Sequence, residues 1–209
     1  MYKTYLIIGF ILFGSYACMA QKVIEKEFSA EGLRGLSITD DAIFSIKITS
    51  SARKTVKIKL HVSGEHAEAI IIEENRSKGK LSLKTGVMPF FEFEDDKLAA
   101  HKVMAIEVSL LVPETIFIEL KSRLASLETH GKIENLDISL QKGSCRLYNF
   151  LGNAHLRTLD GSIEVQAQSN VTGHAFSKNG TVENTLPKQG VFYVEAESVN
   201  GTIYMRQTK

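Results

Sequence analysis

The chain has 209 residues, with 25 Lys and Arg against 24 Asp and Glu, 44% hydrophobic residues, 3 Pro, 2 Cys and no Trp. A chain of this length can bury a sizeable core without disulfide staples, and its apolar content with balanced charge excludes intrinsic disorder. A formal net charge of +1 also argues against a polyanion partner, which needs Lys and Arg concentrated on one face, so nucleic acid is not expected.

Residues 1–20 read as a secretory signal peptide: Lys3, then an apolar run over residues 5–13, then small residues leading to Ala17-Cys18-Met19-Ala20 before Gln21. The run is about half the roughly 20 residues that a membrane-spanning helix needs, and no second candidate follows it. Cleavage between Ala20 and Gln21 is expected, leaving no membrane span in the mature chain; an uncleaved anchor is the alternative. Cys18 admits a lipoprotein, although Ser15 stands where an aliphatic residue is usual. The setting is therefore exported: periplasm, outer cell surface or extracellular space. With Cys18 removed, Cys145 is the only cysteine, and a small buried apolar side chain in a strand is its expected role.

From Gln21 onward nearly every segment alternates apolar and polar residues at period two and is rich in Val, Ile, Phe and Thr, which is strand patterning. Residues 42–48, 56–62, 81–84, 106–110 and 116–120 are predicted strands, each with one buried and one wetted face. Residues 64–75 and 90–100 carry the only helical alternatives, and Ile70-Ile71-Ile72 favours a strand because adjacent β-branched residues prefer extended backbone.

The second half repeats a glycine followed by a small or polar, an apolar and a polar residue. The copies are Gly131-Lys132-Ile133-Glu134, Gly143-Ser144-Cys145-Arg146, Gly161-Ser162-Ile163-Glu164, Gly180-Thr181-Val182-Glu183 and Gly201-Thr202-Ile203-Tyr204, spaced 12, 18, 19 and 21 residues apart. Asp160, Asn179 and Asn200 precede three of these glycines, a pairing that accepts positive φ and turns the chain sharply. Each pair alone could be a hairpin. The repetition points instead to a coil that returns to the same lateral position on each lap, so that Ile163, Val182 and Ile203 form one interior ladder, with Cys145 extending it. Glu164, Glu183 and Tyr204 would then align on the outside. Such a coil has two open ends through which copies could self-associate.

These residues resemble the exported bacterial putative-adhesin family with repeated Asn/Asp-Gly-Ser/Thr-Ile/Val turns, related to the head-GIN-domain adhesins. The resemblance is carried by Val112-Pro113, Leu127-Glu128-Thr129-His130-Gly131-Lys132-Ile133, Leu159-Asp160-Gly161-Ser162-Ile163-Glu164-Val165, Ser177-Lys178-Asn179-Gly180-Thr181-Val182 and Glu197-Ser198-Val199-Asn200-Gly201-Thr202-Ile203. It implies an all-β fold, a single-stranded right-handed β-helix or β-solenoid over residues 21–209, with repeats clearest at 125–205. It also implies a location outside the cytoplasm with no catalytic residues to carry over, and the ridged outer surface of aligned Glu164, Glu183 and Tyr204 points to a non-catalytic binding role at the cell envelope toward polysaccharide or an envelope protein.

No catalytic, cofactor-binding or metal-binding set emerges. The histidines at 61, 66, 101, 130, 155 and 174 form no spaced metal motif, and His61 and His155 fall on outward strand positions. No nucleophile elbow or phosphate loop is present. The one candidate ligand loop is Phe91-Glu92-Phe93-Glu94-Asp95-Asp96, where acids beside aromatics suit sugar or Ca²⁺. On that loop rests the alternative function, a carbohydrate-active lyase or hydrolase on a β-helix scaffold.

Overall fold

The computed structural model describes residues 21–91 and 104–208, and the protein is all-β. In chain order the strands are β1 (Gln21–Ser29), β2 (Gly35–Thr39), β3 (Ile43–Ser51), β4 (Thr55–Ser63), β5 (Ile70–Ser77), β6 (Lys80–Val87), β7 (Ala105–Pro113) and β8 (Phe117–Ser122). Then follow β9 (Ser126–Leu140), β10 (Cys145–Thr158), β11 (Ile163–Ala167), β12 (Val171–Ser177), β13 (Val182–Asn184), β14 (Phe192–Ser198) and β15 (Ile203–Gln207). All five predicted strands form. Of the first helical alternative only a 3-10 turn at Ala67–Ala69 is helical, and the three isoleucines open β5. Most of the second lies outside the described residues.

The strands hydrogen-bond into two ladders that share β9 and β10. One runs β1-β4-β7-β3-β9-β10-β11-β15-β13 and the other β5-β6-β2-β8-β9-β10-β14-β12. Among the described residues only β1/β4, β4/β7 and β5/β6 are antiparallel. The long strands β9 and β10 belong to both ladders because each bends midway, at Gly131 (φ 95°) and at Gly152, where a Cβ would land on the Ile133 carbonyl. The inward rows of both ladders meet in one hydrophobic cluster that includes Ile46, Leu127, Cys145 and Ile163 from the first and Ile118, Leu136, Leu156 and Val194 from the second.

All pairings around the repeat glycines are parallel, so the hairpin alternative does not hold there. Two expectations are corrected. Gly143, Gly161, Gly180 and Gly201 are not in the positive-φ region; glycine is required because a Cβ at each would strike a backbone carbonyl at the corner beside the adjacent strand. Those carbonyls belong in turn to Ala125, Gly143, Gly201 and Gly161, so Ala125, and not Gly131, occupies the first corner. The odd 12-residue interval then disappears, since Ala125 precedes Gly143 by the same 18 residues that separate Gly143 from Gly161.

The second correction concerns order. The apolar ladder runs Leu127, Cys145, Ile163, Ile203, Val182, because β14 and β15 insert between β10/β11 and β12/β13. Val182 is aligned with the ladder but is 43% exposed, whereas Ile203 is fully buried. A strand buried on both edges needs an unbroken inward apolar row, which β14 and β15 supply with Val194, Ala196, Ile203 and Met205. The three-residue β13 leads into Pro187, which has no N–H to donate, so this segment suits an outer edge.

The first third does add to the same ladders. β2 and β3 lie parallel to β8 and β9, and Ser45, Ile46 and Lys47 pair with Ser126, Leu127 and Glu128.

Candidate binding surface

Parallel stacking in register turns each outward position into a row across strands. On the first ladder one such row is Lys47, Glu128, Arg146, Glu164, Tyr204 and Glu183. The expected alignment of Glu164, Tyr204 and Glu183 is therefore present, with Tyr204 in the middle. The row is held by alternating charge: Lys47 to Glu128 at 3.3 Å and Arg206 to Glu164 at 2.9 Å. A hydrogen bond from His130, with Lys47 adding to it, holds the Glu128 carboxyl below its usual range, and the His130 ring stacks on Tyr148 at 5.0 Å. Beside this row runs one of hydroxyls, in which Ser162 donates to Ser144 at 3.1 Å and Thr181 to Thr202 at 3.4 Å. Lys47, Glu128, Glu164 and the hydroxyls therefore find partners on this wall, whereas the Arg146, Glu183 and Tyr204 side chains make no hydrogen bond or ion pair with another described residue.

The second ladder presents a more open surface. Phe117, Asn135, Asn153, Tyr193 and Thr172 share one row, and Glu119, Asp137, His155, Glu195 and His174 the next. A groove of about 360 Å³ lies over the rows, lined by Phe117, Asn135, Asp137, Asn153, His155, Tyr193 and Glu195. The Asn153 side-chain Oδ1 accepts from the Tyr193 backbone N–H at 3.0 Å while its Nδ2 donates to the Asn135 side-chain oxygen at 3.4 Å. Asp137 accepts from Arg157 at 3.0 Å, and His155 lies 3.8 and 3.9 Å from Glu195 and Glu197. At the near end of the second row, Lys121 and Lys80 pull the Glu119 carboxyl down to about 2.

Most sequence-predicted site residues fall elsewhere. Ala20, Cys18, His101 and the acids Glu92, Glu94, Asp95 and Asp96 with Phe93 lie outside the described residues; Gln21 opens β1, and Phe91 meets the His66 ring edge-on at 5.3 Å. His61 and His155 take outward positions in their strands. Cys145 is buried, and burial pushes its thiol up to about 12, which leaves it an inert apolar side chain. Among the described residues no three His, Cys, Asp or Glu side chains gather as a metal site would require, and none of their helices is long and apolar enough to cross a membrane. The groove on the second ladder was missed, although Phe117, Asn135 and Asn153 stand 18 residues apart, the same interval as Ala125, Gly143 and Gly161.

No family profile matches the chain, and no curated protein matches its sequence. Among solved structures, a putative cell adhesion protein from Clostridium sporogenes aligns over 90% of this chain and 100% of its own at 15% identity, with a TM-score of 0.64. The two share a fold. Putative adhesins from Bacteroides fragilis (12% identity, 88% of this chain and 97% of the other, TM-score 0.32) and Parabacteroides distasonis (11%, 90% and 97%, 0.34) are too loosely superposed to support a common strand path.

Proposed function

We propose that this chain is an exported, non-catalytic, adhesin-like binding module of the cell envelope, formed by residues 21–209 after removal of residues 1–20. On this reading the two ladders are the walls of a right-handed β-helix, and binding is collective: an extended ligand lies across successive strands and meets like positions repeated at the strand spacing of about 4.8 Å. The observation that carries the reading is the register itself, which lines up outward side chains over six strands on one wall and over five on the other. The shared fold with a protein named for cell adhesion supports it.

The test is retention of the purified full-length protein on envelope fragments, together with fractionation of the cells that make it. Saturable retention, with the protein found outside the cytoplasm and with no breakdown of envelope polysaccharide, is expected. Cytoplasmic localisation, or release of sugar products over time, would replace this reading with another.

A further inference from the structure

We propose that the groove on the second ladder binds a neutral, linear, hydroxyl-rich polysaccharide, with Tyr193 and Phe117 as stacking platforms and Asn135, Asn153 and Asp137 as the polar contacts between them. The proposal rests on the binding reading above and gives it a ligand class and a place.

Tyr193 and Phe117 are large aromatics left 48% and 39% exposed on one outward row, an arrangement that leaves apolar surface in water unless something covers it. They stand three strands apart, roughly 14 Å at the usual strand spacing. That span accommodates a short run of pyranose units laid across the strands, since strand spacing and the repeat of an extended sugar chain are nearly equal. A sugar ring offers an apolar C–H face to an aromatic face and hydroxyls around its edge.

Between the two rings the polar groups are fixed in advance. The bonds from the Tyr193 N–H to Asn153 and from Asn153 to Asn135 set the direction of both amides. The Asn135 Nδ2 group then makes no hydrogen bond to any described residue. Asp137 gives one oxygen to Arg157 and keeps the other for an incoming hydroxyl. Preset donors and acceptors reduce the ordering cost of binding.

Charge selects against an anionic chain. No Lys or Arg lines the groove, Glu195 does, and Glu197 stands beside it across His155. A uronate or phosphate polymer would meet Glu195 with no Lys or Arg on the groove lining, the neighbouring Arg157 being already engaged by Asp137.

The experiment is affinity electrophoresis and calorimetry of the full-length protein with cellohexaose, chitohexaose and xylohexaose, with polygalacturonate as the anionic probe. At least one neutral oligosaccharide is expected to bind. Tyr193→Ala should weaken it about tenfold, Asn153→Ala by a similar factor, and Tyr193→Phe should retain binding because the ring remains. Lys59→Ala, exposed on β4 and outside both rows, should leave it unchanged, and the exposure of Tyr193 means that its variants should melt as the parent does.

Binding of polygalacturonate in place of the neutral sugars overturns the proposal, as does binding indifferent to both groove substitutions, or no binding of any neutral sugar. The same variants tested on envelope fragments separate the two levels. If fragments retain every variant equally, the groove proposal falls and the broader binding role stands; if fragments retain no protein at all, both fall. Retention abolished by protease treatment of the fragments would identify a protein ligand and overturn the polysaccharide assignment alone.

Discussion

The two ends of the strand ladders are closed in opposite ways. At the first end the terminal strand β1 points Lys22 and Lys26 inward alongside Ile24 and Phe28, and their ammonium groups cross to the other ladder's edge strand. Lys22 donates to the Glu68 and Ile70 carbonyls at 2.6 and 2.8 Å, and Lys26 reaches the Ile72 carbonyl and Glu74. Inward charges on an edge strand prevent a further strand from adding, so the β5 edge is both satisfied and blocked. At the far end a loop does this work: Asn184 bridges to the Gly173 carbonyl at 2.9 Å, Thr172 donates to the Pro187 carbonyl at 2.7 Å, and Leu186 packs on the core. The first closure is made of charge on regular strand, the second of irregular chain laid over the core. The far end can therefore be short of apolar residues, and its strands β12 and β13 are among the least buried of β9 to β15.

The sharpest way to break this comparison is to ask which strand is outermost. In a coil stacked in sequence order, Ile203 would face the open end and Val182 would lie inside; here the reverse holds. Ile203→Lys places an unpaired charge in the core and is expected to cost about 4 kcal/mol or more. Val182→Lys should stay within about 0.5 kcal/mol, as a surface change does. Urea unfolding midpoints of the two variants compare them directly, and equal losses would mean that β13 is buried.

A smaller contrast comes from the glycine column. Gly161 sits between Gly143 and Gly201, a Cβ there would strike the Gly143 carbonyl, and the strand it leads into is paired on both edges and cannot easily move aside; Gly161→Ala is expected to cost about 3 kcal/mol. Gly180 meets only the Gly201 carbonyl and the Ser177 hydroxyl on its inner side, and β13 can move outward. Gly180→Ala should cost under about 1 kcal/mol. Thermal melts of both proteins check the pair.

What the sequence made legible follows from what is local. Period-two alternation depends on each residue's own side chain, so the strands over residues 56–62 and 106–110 could be read directly, as could the inward role of Cys145. The order of strands in space was not legible, because β15 follows Gly201-Thr202-Ile203 much as β13 follows Gly180-Thr181-Val182, and only the unbroken apolar rows of β14 and β15 mark them as fit to be buried on both edges. The glycines were found, but for the wrong reason. An Asn-Gly pair reads as a positive-φ turn from its neighbours alone, whereas the collision that excludes a side chain comes from a carbonyl 18 or more residues away. A third signal passed unread: Ser122, Ser177 and Ser198 each stand three residues before a corner and accept its N–H at 3.1, 3.1 and 2.8 Å. Had that hydroxyl been counted, Ala125 would have been recognised as a corner without a glycine. The groove followed the same rule, since Phe117, Asn135 and Asn153 become neighbours only once strands 18 residues apart are known to pair in register.

Removing the lysine closure tests the first end. Lys22→Ala with Lys26→Ala returns the Glu68, Ile70 and Ile72 carbonyls to water, so the stability loss should be modest, about 1 kcal/mol. The larger consequence is association, because an unblocked β5 edge offers backbone groups to another chain. Light scattering across a concentration series should show mass rising in the double variant and not in the parent. A double variant that remains monomeric would mean that the strand edge is protected by something other than these lysines.

The smallest effect lies in the ion pairs that tie the first-end strands together. Glu119 on β8 bonds Lys80 on β6 at 2.6 Å and Lys121 at 2.7 Å, and these lysines draw its carboxyl from the ordinary 4.5 to about 2. A carboxylate whose value is lowered on folding contributes stability that is fully present above 4.5 and is lost as the pH falls toward about 2, because the unfolded chain takes up the proton first. Both lysines are about half exposed, so water screens the pairs, and Glu119→Gln should cost no more than about 1 kcal/mol at neutral pH. Its signature is the slope: the fall in unfolding free energy across that acid window should flatten in the variant. An acid limb as steep in Glu119→Gln as in the parent would show that the lysine pairs at the first end contribute nothing to the acid stability of the protein.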